Sequence, residues 1–155
     1  MDKVYIRYFR FGDLIWKITG GNSGISGIYP SDFEGISAHN QLLIDAEKQL
    51  KEYMVHIRTD FNIPLELRGT PFQKQVWETL RQIPYGKTVS YAYIAEQIGK
   101  PGAVRAVGQA IGKNPCLIVI PCHRVLGKNG SLTGFSAGPE LKKMLLRHEN
   151  ADIML

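Results

Sequence analysis

Cys122 and His123 stand side by side in the stretch Asn114-Pro115-Cys116-Leu117-Ile118-Val119-Ile120-Pro121-Cys122-His123-Arg124-Val125. A free thiol has a pKa of about 8.5, so only a few per cent is thiolate at neutral pH. Turning Cys122 into a nucleophile takes a base or a stabilising charge. His123 is the candidate base. Neighbouring residues on an extended segment point to opposite sides, so the pair needs a bridging water or a bend after Pro121. Glu149 is a candidate third member that would orient the histidine. It falls near the C-terminus of its helix, where the macrodipole disfavours a carboxylate and a histidine partner would offset that. A solvated Glu149 and a hydrogen-bonded core histidine fit the same residue types. Cys116 reads as a small buried hydrophobe.

Several elements must position these groups. The apolar run Leu117–Ile120, closed by Pro115 and Pro121, reads as a short buried strand that delivers Cys122 at its end. Upstream, Thr70, Pro71 and Gln73 form a helix start with a capping box, and Phe72, Val76, Leu80 and Ile83 form its buried stripe. Ser90 caps a short helix from Tyr91 to Ile98, ended by Gly99. A second short helix spans about 103–111. Two short helices around a tight turn, in a basic region, suggest a helix-turn-helix. On the second helix Val104, Val107 and Ile111 mark the core side. Arg105, Gly108, Gln109 and Gly112 make the other face small and polar with one long cation. Its glycines suit a close-approaching backbone, either DNA or another helix of the same chain. After the central stretch, Gly127–Gly130 reads as a turn and Gly134–Gly138 as a small-residue loop. Pro139 then starts a helix with apolar positions Leu141, Met144, Leu145 and His148.

The first 67 residues carry none of this chemistry. Val4–Phe11, Leu14–Thr19 and Ile25–Tyr29 read as three antiparallel strands, the first two joined by a Gly12-Asp13 hairpin. Residues 40–54 read as an amphipathic helix that covers one face of the sheet. Residues 1–67 hold 7 Lys/Arg against 9 Asp/Glu, whereas 68–155 hold 12 against 5. The overall charge of +5 is therefore concentrated in the second part, as a polyanion-binding face would need. A merely soluble basic surface has the same charge. Two cysteines exclude a disulfide framework. No apolar stretch approaches membrane-spanning length and no signal-peptide pattern opens the chain, so cytoplasmic or nuclear residence is expected. Zinc-ligand spacing and a phosphate-cradling glycine loop are both missing.

Taken in order, Pro84-Tyr85-Gly86, Ser90-Tyr91, Arg105-Ala106-Val107-Gly108, Pro121-Cys122-His123-Arg124-Val125, Thr133-Gly134-Phe135-Ser136 and Leu145-Leu146-Arg147-His148-Glu149 resemble the motifs of the O6-alkylguanine-DNA alkyltransferases. The resemblance runs from about residue 72 to 149. It implies an α/β (α+β) protein of two domains. Residues 1–67 would be a small antiparallel sheet with a helix, ribonuclease-H-like. Residues 68–155 would be a mostly helical, winged-helix-like domain with the helix-turn-helix and the active site. It also implies direct DNA repair by a suicide methyltransferase. Cys122 would take the alkyl group from O6-alkylguanine in double-stranded DNA, once per molecule, with the lesion base flipped out of the duplex.

The roles implied by the resemblance follow residue by residue. His123 would take the thiol proton through water, with Glu149 orienting and charging it. Asn114 would brace the site. Tyr91 would donate to guanine N3, the backbone carbonyls of Cys122 and Val125 would accept from the exocyclic amine, and the Ser136 backbone would face O6. Arg105 would enter from the minor groove and fill the gap in the stack, with Ala106 and Gly108 beside it. Gln73, Ala92, Lys100 and Lys128 stand where relatives touch the DNA backbone. The N-terminal zinc ligands of some relatives are missing here, so neither metal nor cofactor is expected. A monomer is expected. Ala137 stands where many members have glycine, which bears on tolerance of bulky alkyl groups. The alternatives are a non-catalytic sensor of alkylated DNA, which would lack the acceptor cysteine, and a helix-turn-helix regulator. A regulator reading the major groove would carry base-reading side chains where this face has Gly108 and Gly112.

Overall fold

The computed structural model describes residues 3–127, 130, 135 and 137–151. The chain divides into two compact units, Met1–Arg68 and Gly69–Leu155.

In the first unit, β1 (Tyr5–Phe11), β2 (Leu14–Gly20) and β3 (Ile25–Ser31) form an antiparallel sheet in the order β1-β2-β3. The β1–β2 connection is the two-residue turn Gly12-Asp13, with Phe11 opposite Leu14 and Gly12 at φ 61°. That positive φ is what glycine supplies to a hairpin loop. Alternation along β2 buries Trp16 and Ile18 on one face. Helix α1 (Gln41–Met54) covers this sheet with Leu43, Ala46, Leu50 and Tyr53, all fully buried at helical spacing. Asn40 caps it by accepting from the Leu43 amide at 3.2 Å. Glu47 on α1 meets Arg7 of β1 at 2.7 Å and Lys51 at 2.8 Å.

The second unit holds α2 (Pro71–Leu80), β4 (Val89–Ser90), α3 (Tyr91–Gln97), α4 (Val104–Gly112), a one-turn 3-10 helix at Cys122–Arg124, β5 (Val125–Leu126) and α5 (Pro139–His148). The expected caps form. Thr70 and Gln73 bond each other's amides at 3.0 and 3.1 Å, and Ser90 accepts from Tyr93 at 3.0 Å. Ser90 also belongs to β4, which pairs parallel with β5 through Val89–Val125 and Ser90–Leu126. The N-terminus of α3, and Tyr91 with it, is thus fastened to the residues that follow Cys122-His123-Arg124. Trp77, 2% exposed, fastens α2 to α4: its indole N–H donates to the Ala110 carbonyl at 2.8 Å. No helix among the described residues is long and apolar enough to cross a membrane.

Four sequence expectations need correction. Leu117–Ile120 is not a strand. The Val119 amide bonds the Leu117 carbonyl at 2.9 Å around Ile118 at φ 74°, and the Cys122 amide bonds the Ile120 carbonyl at 2.8 Å around Pro121. These are successive three-residue turns, and the first holds a β-branched residue in the left-handed region, which costs about 1–3 kcal/mol. Val104 is 38% exposed and does not join Val107 and Ile111 in the core. On α5, Met144 is 40% exposed, and the buried face is Leu141, Lys142, Leu145 and Leu146. The buried stripe includes a lysine, which an apolar periodicity does not mark. Phe72 is only half-buried, and the buried residues of α2 are Val76, Trp77 and Leu80. The loop expected at Gly134–Gly138 and the inner residues of the Gly127–Gly130 turn lie largely outside the described residues.

Trp77→Phe removes the buried N–H that joins α2 to α4 and leaves a small void. It is expected to lower unfolding free energy by about 1–2 kcal/mol, with an unchanged denaturant slope, in a urea titration.

Candidate active site

The 3-10 turn decides the geometry at Cys122. Its Arg124 amide bonds the Pro121 carbonyl at 3.0 Å, so Cys122, His123 and Arg124 are not extended and do not alternate between faces. All three are buried, at 4%, 0% and 5% exposure. Asn114 holds the chain entering this turn at two points. Its Nδ2 donates to the Ile120 carbonyl at 2.8 Å, and its Oδ1 accepts from the Cys116 amide at 2.9 Å. It thereby spans the turn around Ile118 and fixes the backbone just before Pro121-Cys122.

Glu149 is 3% exposed, so the solvated alternative is excluded. Its Oε2 lies 2.7 Å from His123 Nε2 and accepts from Arg124 Nη2 at 3.0 Å. Its Oε1 accepts from Arg124 Nε at 2.8 Å and from the Gly86 amide at 3.4 Å. Burial alone would raise this carboxyl's pKa. The hydrogen bonds and charges of His123 and Arg124 outweigh burial and hold it well below the usual carboxylate range. An ionised carboxylate only accepts, so the proton of a neutral His123 sits on Nε2. Nδ1, on the opposite edge of the ring, is then a lone-pair acceptor, and among the described residues it has no hydrogen-bond partner. That is the arrangement of a base waiting for a proton.

Glu149 orients His123 but does not leave it charged, contrary to the expectation. Burial lowers the imidazole pKa, Glu149 opposes this, and Arg124 and Lys142 add to the lowering, with a net downward shift. The guanidinium neutralises the carboxylate that would otherwise stabilise imidazolium. Arg124 also donates to the Ile83 carbonyl at 2.6 Å and lies 5.7 Å from the Tyr85 ring centroid. Sequence reasoning missed Arg124 as a member of the site. The signal was the basic residue in the motif itself, 25 positions before the carboxylate that meets the expected histidine.

The Cys122 thiol is pushed up to about 11 by burial, against the pull of the Asn114 amide and the Lys142 ammonium. Cys116, also buried, is pushed up to about 12, and Asn114 bonds its backbone rather than its thiol. Tyr91 is half-buried, and its phenol pKa is raised by burial and by Cys122, so it keeps its proton at neutral pH. Val125 is fully buried in β5, directly after the turn. Ser136 and Lys128 lie outside the described residues.

The described residues expected to face DNA lie on α2, α3, α4 and, for Lys100, the turn between α3 and α4. Arg105, Ala106, Ala92 and Lys100 are exposed, and Gln73 and Gly108 are partly exposed. Lys100 lies 5.3 Å from the Phe72 ring centroid. A Cβ on Gly108 would meet only the Tyr91 ring, at an ordinary 3.8 Å, and one on Gly112 would meet nothing within 4 Å. Neither glycine is required by packing inside the described unit. Among the described residues no group of His, Cys, Asp and Glu could hold a metal ion.

Comparison with known proteins gives this site relatives. The family model of the 6-O-methylguanine DNA methyltransferase DNA binding domain matches residues 71–151. An inducible methylated-DNA–protein-cysteine methyltransferase of Bacillus subtilis is 54% identical over 68% of this chain, which spans 63% of that relative's length. One from Mycolicibacterium paratuberculosis is 47% identical over 82% of this chain and 79% of its own length. Among solved structures, Mycobacterium tuberculosis OGT in complex with DNA superposes with a TM-score of 0.85 at 39% identity, covering 94% of this chain and 92% of that one.

Breaking the buried ion pair from either side should be costly. Arg124→Met and Glu149→Gln are each expected to lose about 3–5 kcal/mol, and the double variant less than their sum, by denaturant titration. Acid should also weaken the fold. The His123 pKa is lower in the folded chain than in the unfolded one. Below about pH 6.5 the unfolded chain therefore binds more protons and stability falls; Glu149, also depressed, adds to the loss below about pH 4.5. A melting temperature that stays flat from pH 7.5 to 5 would contradict this.

Proposed function

The chain belongs to the O6-methylguanine-DNA methyltransferase family, and on that footing we propose that it repairs DNA by moving the alkyl group of O6-alkylguanine onto Cys122. The observation that carries the reading is the buried Cys122 beside a neutral His123 whose Nε2 is engaged by Glu149 and whose Nδ1 has no hydrogen-bond partner among the described residues. The thiol proton passes to Nδ1, directly or through a water. Sulfur attacks the alkyl carbon, the S–C bond forms as the C–O6 bond breaks, and the leaving guanine takes up a proton. Protonating the base as the thiolate attacks keeps charge from accumulating. The thioether is stable, so each chain acts once.

DNA is the partner, and α3 and α4 form the helix-turn-helix that meets it. The target base must leave the stack, at a cost of a few kcal/mol. Arg105 is the long side chain on the otherwise small face of α4, suited to filling the gap from the minor groove. The open space at Gly112 and the ordinary contact at Gly108 leave room for a sugar-phosphate backbone. Tyr91, protonated and next to Gly108, is placed to donate to guanine N3. We assign Gln73, Ala92, Ala106, Lys100 and Lys128 to the DNA surface. The Val125 and Ser136 backbones are assigned to the base. The protein acts as a monomer in the cytoplasm.

Incubation with duplex containing O6-methylguanine is expected to add one methyl to the peptide carrying Cys122, read by mass spectrometry of a digest. An unmodified peptide with lesion binding retained would favour the sensor instead. Arg105→Ala should slow repair of duplex DNA more than reaction with free O6-benzylguanine; equal slowing would remove its role in flipping. Gly112→Ala is expected to leave the fold intact, because the site is open and alanine gains about 0.5–1 kcal/mol of helix propensity, while weakening DNA binding in a salt-dependent titration.

A further inference from the structure

Pro84, Tyr85 and Gly86 follow α2 and turn the chain onto the buried ion pair. The Lys87 amide bonds the Pro84 carbonyl at 3.1 Å, which closes a four-residue turn with Gly86 in its third position at φ 78°. That is where a type II turn takes glycine. The turn does not use the Gly86 N–H, which donates to Glu149 Oε1 at 3.4 Å. Tyr85, at the second position, is half-buried. Its ring centroid lies 5.7 Å from Arg124 Cζ, and its hydroxyl donates to the His148 carbonyl at 3.5 Å. Just before the turn, the Ile83 carbonyl accepts from Arg124 Nη1 at 2.6 Å. The stretch 83–86 thus reaches the Arg124–Glu149 pair at three points.

Turn chemistry accounts for Pro84 and Gly86, but it makes no demand for an aromatic ring at the corner. The guanidinium supplies the reason for one. Its Nε and Nη2 are taken by Glu149 and its Nη1 by Ile83, and a ring within about 6 Å of a cation removed from water attracts it. We propose that the turn 83–86, with Tyr85 at its corner, is a positioning element of the alkyl-transfer site: it seats Arg124 on Glu149, shields the pair from water, and so keeps the His123 imidazole free to take the Cys122 proton. The inference rests on the reading of Cys122 as the acceptor.

Two effects of the ring act on His123 in the same direction. Glu149 alone would hold a proton on the imidazole, and a guanidinium fixed on the carboxylate opposes that. Exclusion of water also disfavours the charged form of the imidazole. Loss of the ring loosens the guanidinium and admits water, so both changes make His123 easier to protonate. The other charges that face the imidazole stay in place. They are Glu149 and Lys142 on α5, and Arg124 with the Cys122 thiol on its own turn. Tyr91, facing Cys122 from α3, keeps its proton. The Tyr85 phenol is itself raised by burial and by Glu149, with Arg124 opposing, so this cover is neutral at working pH. Tyr85 acts through Arg124 and Glu149 rather than on the reacting atoms.

The test reads the imidazole without DNA. With the ring nitrogens labelled, the 4 histidines of the chain are titrated by NMR, and His123 is identified by the signal lost in His123→Gln. In the parent, His123 should carry its proton on Nε2 and titrate below about pH 6.5. In Tyr85→Ala the midpoint is expected about one unit higher, whereas in Tyr85→Phe, which keeps the ring, it should stay within about 0.3 unit of the parent. Tyr85→Leu keeps an apolar cover without a ring and should move the midpoint in the same direction as alanine, so the comparison does not depend on the alanine variant folding. Methyl transfer from O6-methylguanine DNA is followed alongside across pH. The fall in rate on the acid side should begin about one unit higher in Tyr85→Ala than in the parent, with the two rates within about three-fold of each other at about pH 8.5. A ring with a merely structural role would lower the melting temperature of Tyr85→Ala and Tyr85→Leu and leave the His123 midpoint at the parent value. That result, or a shift in Tyr85→Phe as large as in Tyr85→Ala, would overturn the proposal. Absence of methyl transfer in the parent would remove the acceptor reading, while the imidazole titration would still report on Tyr85.

Discussion

One buried carboxylate organises the second unit. Glu149 sits at the C-terminal cap of α5, where the helix dipole opposes a negative charge, and is almost wholly removed from water. It stays ionised because donors reach it from the 3-10 turn, through His123 and Arg124, and from the loop after α2, through Gly86. The donors come from two separate stretches of chain, and the carboxylate from a third. The charge therefore fixes the distance between α5, the cysteine turn and the end of α2, and it selects the His123 tautomer at the same time. Arg124 makes this arrangement neutral and leaves the imidazole a free base rather than a cation.

The same turn shows why much of the site was legible and part was not. Local signals were strong wherever capping chemistry spoke: Thr70 with Gln73, and Ser90, each cap a helix as their residue types require. The Gly12-Asp13 hairpin and the face of α1 follow from turn preference and period. The apolar run 117–120 misled because four buried hydrophobes look the same in a strand and in stacked turns. What separates them is the Asn114 side chain, which satisfies backbone groups that a sheet partner would otherwise satisfy. That choice depends on contacts that sequence spacing does not record. Glu149 was legible as a candidate partner from its place at a helix C-terminus, though its burial was not. Arg124 and Lys142 were passed over because a buried cation contradicts the hydropathy rule by which a core is read.

Their two roles differ in kind. The guanidinium has a fork that matches a carboxylate and cannot lose its proton at ordinary pH, so it suits a permanent ion pair. The ammonium is a compact charge whose protonation responds to burial. The first is spent on Glu149, and the second lies buried on the inner face of α5. Cys116 shows the contrast. It is equally buried, but no histidine follows it in the chain, and its pKa is pushed still higher than that of Cys122 despite the opposing pull of the Arg81 charge.

The placement of the tryptophans gives each half of the molecule its own optical label. The chain has two, Trp16 in the sheet of the first unit and Trp77 in α2 of the second. Both are shielded from water, but the Trp77 indole donates to a carbonyl while the Trp16 nitrogen has no partner among the described residues. A hydrogen-bonded indole emits at longer wavelength than an unbonded one in an apolar core. The two units therefore report separately in fluorescence, and the order in which they melt can be read from the unaltered protein without an added dye.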